Sequence, residues 1–294
     1  MSSRRLRARL VPYALVLPGW LWLAIFFLVP VLTLLSVSTM TGSLSSGFTQ
    51  TFDFGNYADG WDKYHVVFIR SIVYGLVATA ICLLIAYPVA YWIAFRGGQY
   101  KSSLLFLILL PFFVSFVIRT QAWDVVLEDN GPVLSALRHI GIGDWHLISQ
   151  DTRILQTSYA VVGGLVYNFL PFTILPIYVA LERVDPALLE ASSDLYASKA
   201  AAFVRVVLPL SLPGVFAAVL LTFVPVSSDY VNASILGGAG NTMVGSGIYT
   251  EYITNGNYPV AAALSFLLMA VLLVGVFVYA RMLGTEDALE MAAG

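Results

Sequence analysis

Six stretches of this 294-residue chain are each long and apolar enough to cross a lipid bilayer, and that property constrains the fold more than any other. They run over approximately 13–37, 69–95, 103–123, 157–181, 208–230 and 258–281. A helix needs about 20 apolar residues to cross a ~30 Å hydrocarbon core. Lipid offers no partner for backbone N–H and C=O groups, so such stretches satisfy them internally, as helices. The composition agrees: 11% of residues are charged, against roughly a quarter in a soluble domain. The fold class is therefore all-α, a polytopic membrane protein of six transmembrane helices. The first stretch exceeds a signal-peptide core, and no small-residue cleavage site follows it, so it reads as retained. The whole chain, 1–294, reads as a single transmembrane domain, with a short N-terminal segment 1–12 and a core bundle over about 69–281. A net charge of −2 argues against nucleic acid as a partner.

Lysine and arginine set the orientation, because positive charge is retained on the inner side of a membrane. Arg4, Arg5, Arg7 and Arg9 precede the first stretch; Arg96, Lys101, Arg183, Lys199, Arg205 and Arg281 fall on the same side after successive crossings. Lys63, Arg70, Arg119, Arg138 and Arg153 fall on the other, and the last outer loop carries none. Both termini are expected in the cytoplasm.

This topology puts a helix-prone polar segment in the cytoplasm, between the fourth and fifth spans. Asp185-Pro186 reads as a helix start, with a capping carboxylate and a proline where no N–H is needed. Ser198 reads as the cap of a second short helix through Ala200, Ala201, Ala202 and Phe203, limited by Pro209 and Pro213. Two short helices at an angle would present small residues and an aromatic ring to water. Such a surface suits close approach by another protein, or an interfacial helix lying on lipid headgroups.

At these residues the chain resembles a known family. Glu190-Ala191, Asp194-Leu195, Ala197-Ser198, Phe203, Arg205, Leu208-Pro209 and Pro213-Gly214 are similar to the cytoplasmic signature loop of ABC importer permeases. In that family the loop is a coupling helix seated in a groove on the ATP-binding subunit. Carried onto this chain, the resemblance implies an ATPase-coupling role for Glu190, Ala191, Asp194, Leu195, Tyr196, Ala197, Phe203 and Arg205. Two positions differ: Ser192 replaces the usual second alanine, and Tyr196 stands where a glycine usually permits the tight bend. The likeness extends to LPGWLWLAIFFLVP, AYPVAYWIAF, PFFVSFVIRTQAW, NFLPFTILPIYVALERVD and SDYVNASILGG, and is most similar to spermidine/putrescine-type importers. It implies a bacterial inner-membrane permease subunit with three partners: a second homologous permease, an ATP-binding subunit dimer and an extracytoplasmic substrate-binding protein. ATP and magnesium would sit on the ATPase, and this chain would bind no cofactor. Relatives of the group carry iron(III), thiamine or other small solutes, and these stay open beside a polyamine.

The spans carry Pro88, Pro111, Pro171, Pro176 and Pro225, each removing a backbone hydrogen bond, as suits a bundle that rocks. Charges at span edges are costly and thus functional candidates; the clearest are Arg119, Asp124, Glu128 and Asp229. A polyamine requires carboxylates for its ammonium groups and aromatic faces for cation–π contact. Trp123, Asp124, Asp229 and Tyr230 supply both and are the substrate-path candidates. Their plainer alternative is a pair of interfacial aromatics, an Arg119–Asp124 ion pair and a helix cap at Asp229. Glu251 and Tyr252, in the last outer loop, are candidates to dock a binding protein. The glycines at 237, 238, 240, 245 and 247 form no phosphate cradle, because no Gly-Lys-Ser/Thr follows. No catalytic constellation is present, His65, His139 and His146 lack metal-ligand spacing, and Cys82 has no partner for a disulfide. A membrane scaffold that transports nothing is the alternative of another class.

Overall fold

The structure, a computed structural model, describes residue 13 and residues 15–129, 131–139 and 153–282. Arg4, Arg5, Arg7, Arg9 and His146 lie outside the described residues. Helix α1 (Leu15–Ser38) leads into a small antiparallel hairpin of β1 (Met40–Ser43) and β2 (Gly47–Gln50), with Met40 opposite Gln50. Helix α2 follows (Gly55–Arg96), then α3 (Lys101–Leu109), α4 (Phe116–Leu127) and α5 (Pro132–His139). Beyond them come α6 (Ser158–Glu182), α7 (Pro186–Asp194), α8 (Lys199–Ser227), α9 (Val231–Leu236), α10 (Val244–Tyr249) and α11 (Tyr258–Met282).

Five of these helices, α1, α2, α6, α8 and α11, are long and apolar enough to cross a membrane alone. The third expected span differs. It is not one helix over 103–123 but two, bent by 89° between Phe113 and Phe116. Pro111 starts a short 3₁₀ turn, and Val114 and Ser115 then adopt extended ψ near 137°, which breaks the ladder. Counting the bent pair as one span restores six. Helix α2 begins fourteen residues before the apolar stretch at 69. The hairpin is the one β element among the described residues and lay outside the all-α reading; its serines and glycines carry no apolar alternation.

Two compact units can be described separately. The first combines residues to His65 with Ile248–Met269. Here Asn56 Nδ2 donates to the carbonyls of Ser38 (3.0 Å) and Met40 (2.9 Å), and Ser38 Oγ shares a hydrogen bond with Tyr57 OH (2.7 Å). These bonds fix the hairpin to the start of α2. Helix α1 itself leaves Trp20, Trp22, Phe26 and Phe27 exposed, as a lipid-facing helix does.

The second unit holds Val66–Gly247 and the residues from Ala270 on. One core gathers Ala78, Val161, Leu165, Phe169, Val226 and Leu236; another gathers Ala86, Ala90, Ile93, Ile177, Leu181 and Val207. Small residues allow the helices to meet closely, the usual device where lipid removes the hydrophobic drive for helix association. A Cβ on Gly214 would lie 2.6 Å from the Pro176 carbonyl oxygen and collide with Ala180. Beside this crossing, Thr173 and Thr222 hydroxyls share a 2.8 Å hydrogen bond between α6 and α8. Both helices continue through their internal prolines, Pro171 and Pro176 in α6 and Pro213 and Pro225 in α8.

Candidate functional site

The segment between α6 and α8 is built as its sequence suggests at both starts. The Asp185 carboxylate accepts from the Ala187 N–H at 2.9 Å, with Pro186 opening α7. Ser198 Oγ accepts from the Ala201 N–H at 3.2 Å. Between them the chain reverses at Tyr196, whose φ is +57°. The Ala197 N–H bonds the Ser192 carbonyl at 3.0 Å, the long closure of a helix end with a left-handed residue before it. Tyr196 therefore makes the bend itself, in the conformation a glycine would adopt more cheaply.

The second short helix departs from expectation. It does not stop before Pro209 but runs through a π-helical turn, Phe203–Val207, into the long helix. The extra residue in that turn rotates the register. Pro209 falls at the start of the following α-helical stretch, where its missing N–H is tolerated. Phe203 is also not presented to water. Its ring packs edge-on against Tyr87 (5.7 Å) and Tyr91 (5.8 Å) of α2, and Tyr87 OH shares a 2.7 Å hydrogen bond with Ser211 Oγ. Glu190, Ala191, Asp194, Leu195, Tyr196, Ala197 and Arg205 are exposed as expected. The segment thus has an outward face of acids and apolar groups, and an aromatic wedge joining it to α2. A cleft of about 330 Å³, lined by Ala180, Arg183, Val184, Leu188, Leu210 and Pro213, separates α7 from the helices above it.

One of the substrate-path candidates, Asp229, adjoins a buried polar knot that sequence reasoning missed. Asn168 Nδ2 donates to Asn232 Oδ1 (3.1 Å) and to Thr120 Oγ1 (3.2 Å), and Thr120 Oγ1 donates to Asn232 Oδ1 (3.4 Å). All three are buried, and they join α4, α6 and α9. Asp229, also buried, accepts from the Asn232 N–H at 2.7 Å. The capping role weighed for Asp229 is therefore present, and no cation among the described residues pairs with it. Trp123 lies edge-on to Tyr167, 5.4 Å between ring centroids, and packs on the core instead of standing in an interfacial belt. Asp124 is half-buried and Tyr230 exposed.

No Arg119–Asp124 ion pair forms among the described residues. Arg119 is buried, its guanidinium lies over Phe112 (5.3 Å) and Phe116 (5.7 Å), and its Nε and Nη1 have no hydrogen-bond partner. The signal for the knot was an asparagine inside an apolar stretch, LVYNFLPF, since an unsatisfied amide is expensive at membrane depth.

Near the knot, the 237–247 stretch is fastened to α2. Ser71 Oγ accepts from the Val244 N–H (2.7 Å), Tyr74 OH donates to Asn241 Oδ1 (2.9 Å) and Arg70 donates to the Thr242 carbonyl (3.2 Å). Gly238, at φ +59°, shapes a structural turn there, while Gly245 and Gly247 lie within α10.

Glu251 corrects another expectation. A π-helical turn over Thr250–Thr254 directs its carboxylate inward, where it is 2% exposed. It accepts from Lys63 Nζ at 2.6 Å and from Tyr64 OH at 2.7 Å. Burial alone would push this carboxyl up; the bonds from Lys63, Tyr64 and Asn255 outweigh it and leave the group below the ordinary carboxylate value. Glu251 is a structural tie, not a docking surface. Tyr252 is half-exposed, beside Tyr258.

A protein family described as the binding-protein-dependent transport system inner membrane component matches residues 86–283. The chain belongs to that family. It is a multi-pass inner-membrane component of a transport system. Its relatives include the spermidine/putrescine transport system permease protein PotB of Haemophilus influenzae, 38% identical over 88% of this chain and 90% of that protein. PotB of Escherichia coli strain K12 is 33% identical over 92% of this chain and 98% of its own length. Among solved structures, a bacterial ABC transporter involved in import of the acidic polysaccharide alginate shares the fold, with a TM-score of 0.68, 19% identity, and coverage of 95% of this chain and 97% of that one. These relatives are permease proteins of transport systems rather than enzymes.

Proposed function

We propose that this chain is one of two permease subunits of an ATP-driven importer whose cargo is a polyamine of the spermidine/putrescine class. The observation that carries the reading is its 38% identity, over most of both chains, with a protein named as a spermidine/putrescine permease. The chemistry supports it: Asp229 is a buried carboxylate that pairs with no cation among the described residues, and exposed Tyr230 follows it in the chain. A second, homologous permease completes the path, an extracytoplasmic binding protein delivers the cargo, and both termini face the cytoplasm. ATP and magnesium belong to the paired ATP-binding subunits, which dock beneath Pro186–Val207.

In this mechanism the exposed face of α7 and the bend is what the ATPase grips. Closure of the ATPase dimer shifts the permease only as far as it binds one conformation better than the other. Movement of the segment reaches α2 through Phe203, held between Tyr87 and Tyr91, and reaches α8 because the segment continues directly into it.

The test is ATP-dependent uptake of labelled spermidine and putrescine by proteoliposomes holding the full importer and its binding protein. Saturable polyamine uptake supports the reading. Uptake of an iron(III) chelate or thiamine in its place overturns the cargo, and no solute uptake despite correct insertion supports a scaffold.

A further inference from the structure

We infer that Tyr196 is a specificity anchor, an aromatic plug that this chain inserts into its own ATP-binding subunit at the bend of the segment. The inference rests on the coupling role proposed above and adds to it a residue that departs from the usual glycine.

Two observations carry it. Tyr196 holds a left-handed backbone, φ +57°, that disfavours any side chain with a Cβ and that glycine adopts freely. It is also 98% exposed, and Leu195 beside it is 82% exposed. A side chain that strains its backbone and is this exposed gains no packing from the described residues to offset the strain. The Ala197–Ser192 closure would form equally well around glycine. What offsets the strain therefore lies beyond the described residues, and the proposed ATP-binding subunit is the partner that meets this segment.

The chemistry of the surroundings selects the partner. Glu190 and Asp194 are exposed on the same segment, with Lys199 and Arg205 following. An anionic inner leaflet is read by clusters of cations, and on this segment the two acids offset Lys199 and Arg205. The pair Leu195–Tyr196 fits instead a protein groove with an apolar floor, a hydrogen-bonding group at the end of the ring and basic residues along the rim facing Glu190 and Asp194. Aromatic side chains seated in such pockets dominate interface energies. A subunit whose groove fits glycine at this point has no room for the ring, so Tyr196 also excludes non-cognate ATPases, an instance of specificity by steric rejection.

The experiment uses the complete permease pair in nanodiscs and its purified ATP-binding subunit, with three substitutions at Tyr196 and one at Asp194. Tyr196→Gly and Tyr196→Asn both tolerate the left-handed backbone and lack the ring; Tyr196→Phe keeps the ring. We expect the Gly and Asn variants to lose at least about tenfold in affinity for the ATP-binding subunit. The Phe variant should retain most of it, and thermal unfolding of the permease alone should be unchanged or higher for Gly. Wild-type affinity in both Gly and Asn variants overturns the inference. Asp194→Arg separates the two layers. If it weakens assembly while Tyr196→Gly does not, the anchor fails and the coupling role stands; if neither does, the coupling role fails with it.

Discussion

Removing Asn168 tests whether the buried knot holds three helices together. Asn168→Leu keeps the size of the side chain but deletes the bonds at 3.1 Å and 3.2 Å to Asn232 and Thr120. A hydrogen bond between membrane helices contributes about 0.6 kcal/mol on average and about 1.7 at most. Two lost bonds correspond to about 1–3 kcal/mol, while Asn232 Oδ1 keeps the bond from Thr120. A double-mutant cycle with Asn232→Leu isolates the shared contact. The two changes should couple by about 0.6–1.7 kcal/mol, roughly 3- to 16-fold in the unfolding equilibrium. The double variant thus loses less stability than the sum of the single ones. The assay is denaturant-driven unfolding of the purified chain in bicelles. Asn168→Leu combined with Ser211→Ala serves as the control, because Ser211 bonds Tyr87 in a separate contact. Additivity of the asparagine pair within about 0.5 kcal/mol would refute the knot as an energetic unit.

Three further outcomes follow from the same geometry. Glu251→Ala should cost about 1–3 kcal/mol, mainly from the lost bond to Tyr64 and the buried side chain, because Lys63 is 59% exposed and water replaces its lost partner. The native carboxyl is held below its ordinary value, so its contribution is full above the unfolded carboxyl value of about 4.3 and fades as pH falls through the folded one. Thermal unfolding from pH 7 to pH 3 should show that loss in wild type and not in the variant. Arg119→Met, which keeps contact with Phe112 and Phe116 and removes unpartnered donors, should leave thermal stability equal or higher; a loss above about 1 kcal/mol would mean the guanidinium has a partner in the folded chain. Asp229→Asn retains an oxygen to accept from the Asn232 N–H and removes the charge, so insertion should be normal while spermidine uptake falls about tenfold or more; unchanged uptake would reduce Asp229 to a helix cap.

Legibility in the sequence varied with the range of the interaction that decides each feature. Local signals were reliable. Asp185-Pro186 and Ser198 act as helix starts because a cap needs only residues within three positions, and apolar length alone located five helices. The bend after Phe113 is local but depends on Val114 and Ser115 adopting extended conformations, which an apolar run does not signal. Features set by distant residues were not visible. Phe203 reads as exposed until α2 brings Tyr87 and Tyr91 against it. Glu251 reads as a loop acid until Lys63, 188 positions away, supplies its counter-charge. The knot is a further case: an asparagine inside an apolar span carries a signal that the sequence reading passed over, and its partners on α4 and α9 belong to tertiary packing. Tyr196 differs again, because the residue looked incompatible with the bend and the backbone accommodates it.

The central claim is that Pro186–Val207 is the part of this permease that an ATP-binding subunit grips. Photo-crosslinking from a benzophenone amino acid at Asp194, in the assembled importer within native membranes, tests it most directly. The account predicts one dominant adduct, to the ATP-binding subunit, with a yield that changes when ATP is added. Adducts to lipid alone, in membranes that still take up solute on ATP addition, would contradict it.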